Sequence, residues 1–131
     1  MEKQVINPWT WQDRFGFVQA NNVSGAEQVL YCAGQTSVDG DGNPLHAGRM
    51  QEQALQAIDN LETVLREAGF ALADIVRLTT FVTDVDAYRQ AAPGVGARLG
   101  QAGVRQAASL IGVARLALPE LLVEIEATAA K

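Results

Sequence analysis

The chain has one cysteine and one histidine in 131 residues, and each scarcity excludes some chemistry. Cys32 alone cannot close an internal disulfide, which fits a reducing compartment and leads us to expect a cytoplasmic protein. His46 alone rules out a metal cluster built from several histidines of one chain, and its place ahead of a helical pattern argues against a serine–histidine pair. Long apolar runs are missing as well. No window of about eighteen apolar residues occurs, so no membrane span is expected, and "MEKQVINPWTWQDRFG" lacks the apolar stretch of a secretory signal. Positive charge is in short supply: ten Lys and Arg stand against fifteen Asp and Glu, a net charge of −5. With no basic cluster to interrupt that balance, nucleic acid is not the expected partner.

Two motifs are incomplete. "DGDGNP" (39–44) begins like a calcium loop, but Pro44 stands where the glycine belongs and Met50 where the glutamate belongs. "GVGARLG" (94–100) is glycine-rich but follows no strand and lacks the dinucleotide spacing. Neither a metal nor a cofactor is expected. His46, just ahead of a long helical pattern, reads as a residue at the start of that helix, and Cys32 as a buried core thiol.

What remains is an ordinary globular composition, 48% hydrophobic and 19% charged, read as one domain over 1–131. "FGFVQANNV" (15–23) and "EQVLYCAGQT" (27–36) read as strands, followed by turn chemistry in "SVDGDGNPLHAG" (37–48). From Arg49 to Ala68 the period changes. Met50, Ala54, Ile58, Leu61, Leu65 and Ala68 recur every three or four residues, an amphipathic helix with Gly69 as its stop. "DIVRLTTFVTD" (74–84) is a strand with Ile75, Arg77, Thr79, Phe81 and Thr83 on one face. In "DAYRQAAPGVGARLGQAG" (86–103), Pro93, Gly94, Gly96 and Gly100 predict a helix that is short, kinked or late to start. "ASLIGVARLA" (108–117) and "ELLVEIEATA" (120–129) are the last strands. The order β-β-α-β-α-β-β, with two helices packed on one face of a mixed sheet, describes an α+β sandwich.

The last strand places Val123, Ile125, Ala127 and Ala129 on one face and Leu122, Glu124, Glu126 and Thr128 on the other. A two-layer sandwich leaves that second face bare, and its mixture of apolar and polar groups favours an oligomer contact over plain solvent. Trp9 and Trp11 can cap a ligand cavity or anchor the N-terminal segment to the core, and the anchor is the favoured reading.

Four stretches, "VLYCAGQTSVDGDGNPLHAG", "QALQAIDNLETVLREAGFALADIVRLTTFVTDVDAY", "ASLIGVARLALP" and "LVEIEATA", resemble the RidA (YjgF) family of small trimeric proteins. The resemblance covers about residues 15–129. It implies a chorismate-mutase-like fold and a homotrimer, with sheets lining a central barrel and small-molecule clefts between subunits. It also implies hydrolysis of reactive enamines and imines, such as 2-aminoacrylate, to a keto acid and ammonia. In that pattern an arginine holds the substrate carboxylate, and the first glutamate of Val-Glu-Ile-Glu positions the attacking water.

Carried over by residue, the catalytic glutamate is Glu124. The family's Pro-Ala-Arg-Ser reads here as Gln106, Ala107, Ala108 and Ser109, so Ala108 stands where the arginine belongs. The serine ahead of the Gly-Gln (Gly34 and Gln35) is Ala33, and a tyrosine is Phe17. Arg105, three residues before Ala108, is a candidate replacement. The implied binding set is thus Phe17, Ala33, Gly34, Arg105, Ala108, Ser109 and Leu110. Losing an arginine–carboxylate contact costs about 2–5 kcal/mol. The expected substrate is therefore larger, more apolar or uncharged, and not 2-aminoacrylate. The other reading is a non-catalytic small-molecule-binding or stress-responsive trimer. An RNA-cleaving activity conflicts with the net charge and the lone histidine.

Overall fold

The computed structural model covers residues 1–131. In chain order it contains β1 (Glu2–Ile6), β2 (Ala20–Ser24), β3 (Val29–Thr36), α1 (Met50–Glu67), β4 (Ile75–Val82), α2 (Val85–Gln101), β5 (Ala107–Gly112) and β6 (Val123–Ala130). β3, β6, β4 and β5 form one sheet in that order, antiparallel except for the β4–β5 pair. Parallel neighbours need a long crossover, and α2 supplies it. β1 and β2 form a separate antiparallel ribbon. The helices cover one face of the sheet, giving the α+β sandwich that the pattern of periods predicts.

The core lies between the layers. Ile58, Leu61 and Leu65 of α1 meet Leu78 and Val82 of β4 and the apolar row Val123, Ile125, Ala127 and Ala129 of β6. The 3.6 period of α1 and the 2.0 period of β6 aim these rows at one another, and burying each large aliphatic side chain stabilises by about 1.5–3 kcal/mol.

Several expectations are corrected. α2 is neither short nor late: it runs unbroken for 17 residues through Pro93. Its start is fixed by Asp84, whose side chain accepts a hydrogen bond from the Ala87 N–H at 3.0 Å. Ala91, Val95 and Leu99, four residues apart, are buried, and this packing offsets the weak local propensity. Gly94 has a specific use: a Cβ there would lie 2.7 Å from Nε2 of Gln51, so its absence lets α2 approach α1. Asp84→Ala should therefore lower stability by about 1 kcal/mol, read as a drop in the urea midpoint with the native circular dichroism spectrum retained.

Ile75 does not share a face with Arg77. A register shift between them leaves Val76 as an extra residue, and the bulge turns Ile75 into the core while Arg77 stays exposed. At the N-terminus, β1 was not foreseen, and the run 15–23 is a strand only from Ala20. Residues Asp13–Phe15 form a 3₁₀ turn closed by Gly16 at φ 76°, a left-handed conformation that breaks the extended run. Val18 makes a single parallel bridge to Ala107. β5 ends at Gly112 and β6 begins at Val123, so 113–122 is a connecting segment and Leu122 lies outside the strand. The tryptophans are not core anchors: Trp9 is 58% exposed and Trp11 56%. The buried side chain of that loop is Gln12.

Candidate functional site

Because Val123 and Ile125 take the helix side of β6, Glu124 projects from the uncovered side. Its cross-strand neighbours are Thr36 on β3 and Phe81 on β4. Cys32 pairs with Ala127 and Gln35 with Ile125, so two residues, Ala33 and Gly34, oppose Glu126 alone. This bulge brings backbone against the Glu124 side chain. A Cβ on Gly34 would lie 2.6 Å from Cδ of Glu124 and 2.8 Å from its Oε1. The carboxyl group is thus laid over bare glycine backbone, half-buried, and pairs with no cation of its own chain.

Gly34→Ala follows as a test. The colliding atoms are the end of a flexible side chain, so the fold should survive with an unfolding midpoint close to the wild type's. The carboxyl must move, and any reaction that needs it in place should slow about 10²-fold.

α1 fixes both strands around Glu124. Gln53 is fully buried; its Oε1 accepts the Leu122 N–H at 2.8 Å, and its Nε2 donates to the Glu120 carbonyl at 2.8 Å and the His46 carbonyl at 3.2 Å. Asn60 Nδ2 donates to the carbonyls of Thr36 and Val38, both at 2.9 Å. One amide holds the chain two residues before Glu124 and the other holds Glu124's strand partner. Neither has a role assigned from the sequence. The available signal was an amide on the apolar face of an amphipathic helix, where an unpaired polar group is costly.

The other predicted residues fall into separate places. Ala108 is paired with Leu78 and Leu110 with Thr80, which puts both on the helix side of β5, at the edge of the sheet. Leu110 is 42% exposed there. Phe17 adjoins the start of β5 through the Val18–Ala107 bridge, and Arg105 lies exposed in the segment before it, its carbonyl accepting from Asn21 Nδ2 at 2.9 Å. Ser109 alone of the β5 set faces the uncovered side, where its Oγ accepts from Nη2 of Arg77 at 2.9 Å. Glu124, Ala33 and Gly34 therefore form one half-site and Phe17, Ala108, Leu110 and Arg105 another. Glu124 lies on the uncovered face and Ala108 and Leu110 on the helix side, with β4 between them, and one chain does not join the two. Arg77, a cation on the uncovered face, was not among the predicted residues.

Cys32 faces the core, and burial pushes its thiol pKa up, which suppresses the reactive thiolate. Asp39 is taken up by its turn: the N–H groups of Asn43 and Asp41 bond its Oδ1, both at 2.9 Å, and hold its carboxyl below the usual range. No three His, Cys, Asp or Glu residues are grouped to hold a metal ion. No helix is long and apolar enough to cross a membrane.

A family model described as Endoribonuclease L-PSP matches residues 14–131. Among solved structures, a Yersinia pestis protein of unknown function from the conserved Rid family, YyfB, superposes with a TM-score of 0.86 at 39% identity over 100% of both chains. The E. coli YjgF gene product superposes with a TM-score of 0.71 at 28% identity, covering 87% of each chain. A RutC family protein of Aquifex aeolicus is 30% identical over 115 residues, 88% of either chain. With its sheet order, its crossover helix and a model match running from residue 14 to the last, this chain belongs to the RidA (YjgF) family.

Proposed function

We propose that the protein acts as a homotrimer whose inter-subunit clefts hydrolyse a reactive enamine or imine, with Glu124 orienting the attacking water and a substrate larger and less charged than 2-aminoacrylate. The observation that carries this reading is the Glu124 carboxyl group, laid over Gly34 with no cation to neutralise it. The separation of the two half-sites supports a cleft completed by a second copy. The Glu124 half of one chain would face the Phe17–Ala108–Leu110 half of the next.

In the reaction, water adds to the carbon of the C=N bond while the carboxylate accepts a proton from it. The same proton is returned to nitrogen, the carbinolamine collapses, and a carbonyl compound and ammonia leave. Acid–base help of this kind contributes about 10²–10⁴-fold. Neither Ala108 nor Phe17 offers a charged or hydroxyl group for a substrate carboxylate, and Arg105, the one cation of that half-site, lies exposed in the segment before β5, which supports an apolar ligand. The ribonuclease in the family model's description finds little support in this chain. Its one histidine sits exposed in the segment before α1, and its net charge is −5.

The test generates 2-aminoacrylate in situ with a dehydratase and measures keto-acid release. Wild type should stay at the background rate and Ala108→Arg should exceed it, with the gain lost in Glu124→Ala/Ala108→Arg. Wild-type catalysis that survives Glu124→Ala contradicts the proposal. If bulkier imines also show no Glu124-dependent hydrolysis, the cleft binds without turnover.

A further inference from the structure

Aromatic residues make up only 6% of the chain, yet Trp9, Trp11, Phe15 and Phe17 fall within one short loop. Trp9, Trp11 and Phe15 are each more than half exposed. Trp11 is nonetheless ordered against two of its neighbours. The Trp11 ring meets Phe17 edge-to-face at 5.9 Å and Phe15 at 6.4 Å, and the Arg14 guanidinium lies 4.7 Å from the centre of the Phe15 ring.

The loop beneath is fixed by polar contacts. Oε1 of the buried Gln12 accepts from Gln19 Nε2 at 3.2 Å, and Asn7 Oδ1 accepts the Gln19 N–H at 2.8 Å. The Gly16 carbonyl accepts from Gln106 Nε2 at 3.2 Å, which ties the loop to the residue just before β5. Large rings held out to solvent on a pinned loop mark a binding surface. Through Phe17 and the neighbouring Val18–Ala107 bridge, this surface adjoins the start of β5, the strand that carries Ala108.

We propose that Trp11 and Phe17, beside the start of β5, form a platform for the aromatic group of the substrate, so that the ligand class is an uncharged aryl-bearing imine or enamine. This rests on the cleft described under Proposed function and assigns what replaces its arginine. Ring–ring contact takes over the anchoring, and Ala108 leaves room for the ring to approach. Edge and face complementarity between rings adds specificity beyond simple burial.

Trp9 and Trp11 are the only tryptophans of the chain, so its intrinsic fluorescence reports on this loop directly. The probe is phenylacetamide, a neutral aryl amide that mimics the planar C–N group without reacting, and acetamide is its ring-free control. We expect a saturable shift in tryptophan emission with phenylacetamide and none with acetamide. By calorimetry Trp11→Ala should bind about tenfold more weakly, with Trp11→Phe restoring most of the affinity. Because phenylacetamide does not react, its binding persists even if no imine is turned over, and this separates the platform from the hydrolytic reading. An emission spectrum unmoved by phenylacetamide overturns the proposal. So does a Trp11→Ala variant that binds as wild type does, or one that instead dissociates the oligomer, which would make the rings a subunit contact.

Discussion

Glu124→Gln should lower the turnover of any imine this protein hydrolyses by about 10²–10⁴-fold while leaving its stability nearly unchanged. The amide has the shape of the carboxylate, so it can lie over Gly34 in the same way and keep Thr36 and Phe81 as strand neighbours. What it lacks is the charge that accepts a proton from water. Glu124 pairs with no cation within the chain, so no ion pair is lost with it. Steady-state kinetics and a urea titration on the same preparation separate the two effects. A rate within a factor of about three of wild type would remove Glu124 from the chemistry, since one acid–base group normally contributes far more.

Leu61→Ala should have the largest effect on stability, about 2–5 kcal/mol. Leu61 is 0% exposed and packs in the cluster that joins α1 to β4 and β6. Truncation leaves a void that close-packed neighbours cannot readily fill. With whole-domain stabilities of about 5–15 kcal/mol, one such cavity removes a large share. The measurement is the urea midpoint at a fixed protein concentration, because association adds to apparent stability. Val64→Ala, three residues along on the outer side of α1 at 37% exposure, is the control and should cost much less. Equal losses at the two positions would contradict the described packing.

Leu61 and Val64 also show what was legible in the sequence. The three-to-four-residue period of α1 and the alternation of β6 are strong local signals, and together they aim Glu124 away from the core. Features that depend on partners were hidden. A bulge exists only relative to a neighbouring strand, so neither the extra residue at Val76 nor the doubling of Ala33 and Gly34 against Glu126 shows in a single sequence. The unbroken α2 is a tertiary override, in which buried Ala91, Val95 and Leu99 outweigh a proline and three glycines. β1 was missed because Glu2, Lys3 and Gln4 give no apolar alternation to read.

Of the candidate site, Glu124 is marked out by the family resemblance, and its setting over Gly34 emerges only in three dimensions. The division of the candidate binding residues between the two half-sites depends on strand order and the pleat of β5. Glu126, one pleat beyond Glu124, borders a concavity with Arg77, Thr79, Thr128 and Tyr31, and it has no role in the proposed chemistry.

If Glu124 of one chain works with the β5 edge of another, mixed oligomers should reveal it. Glu124→Gln removes one half-site, and Ala108→Trp blocks the other by filling the space beside Leu110. Each variant alone should be inactive toward an imine that wild type turns over in a Glu124-dependent way. After unfolding and refolding as an equal mixture, about one quarter of the clefts should combine two intact halves and recover activity in proportion. A mixture no more active than the sum of its inactive parents would contradict a cleft built from two chains.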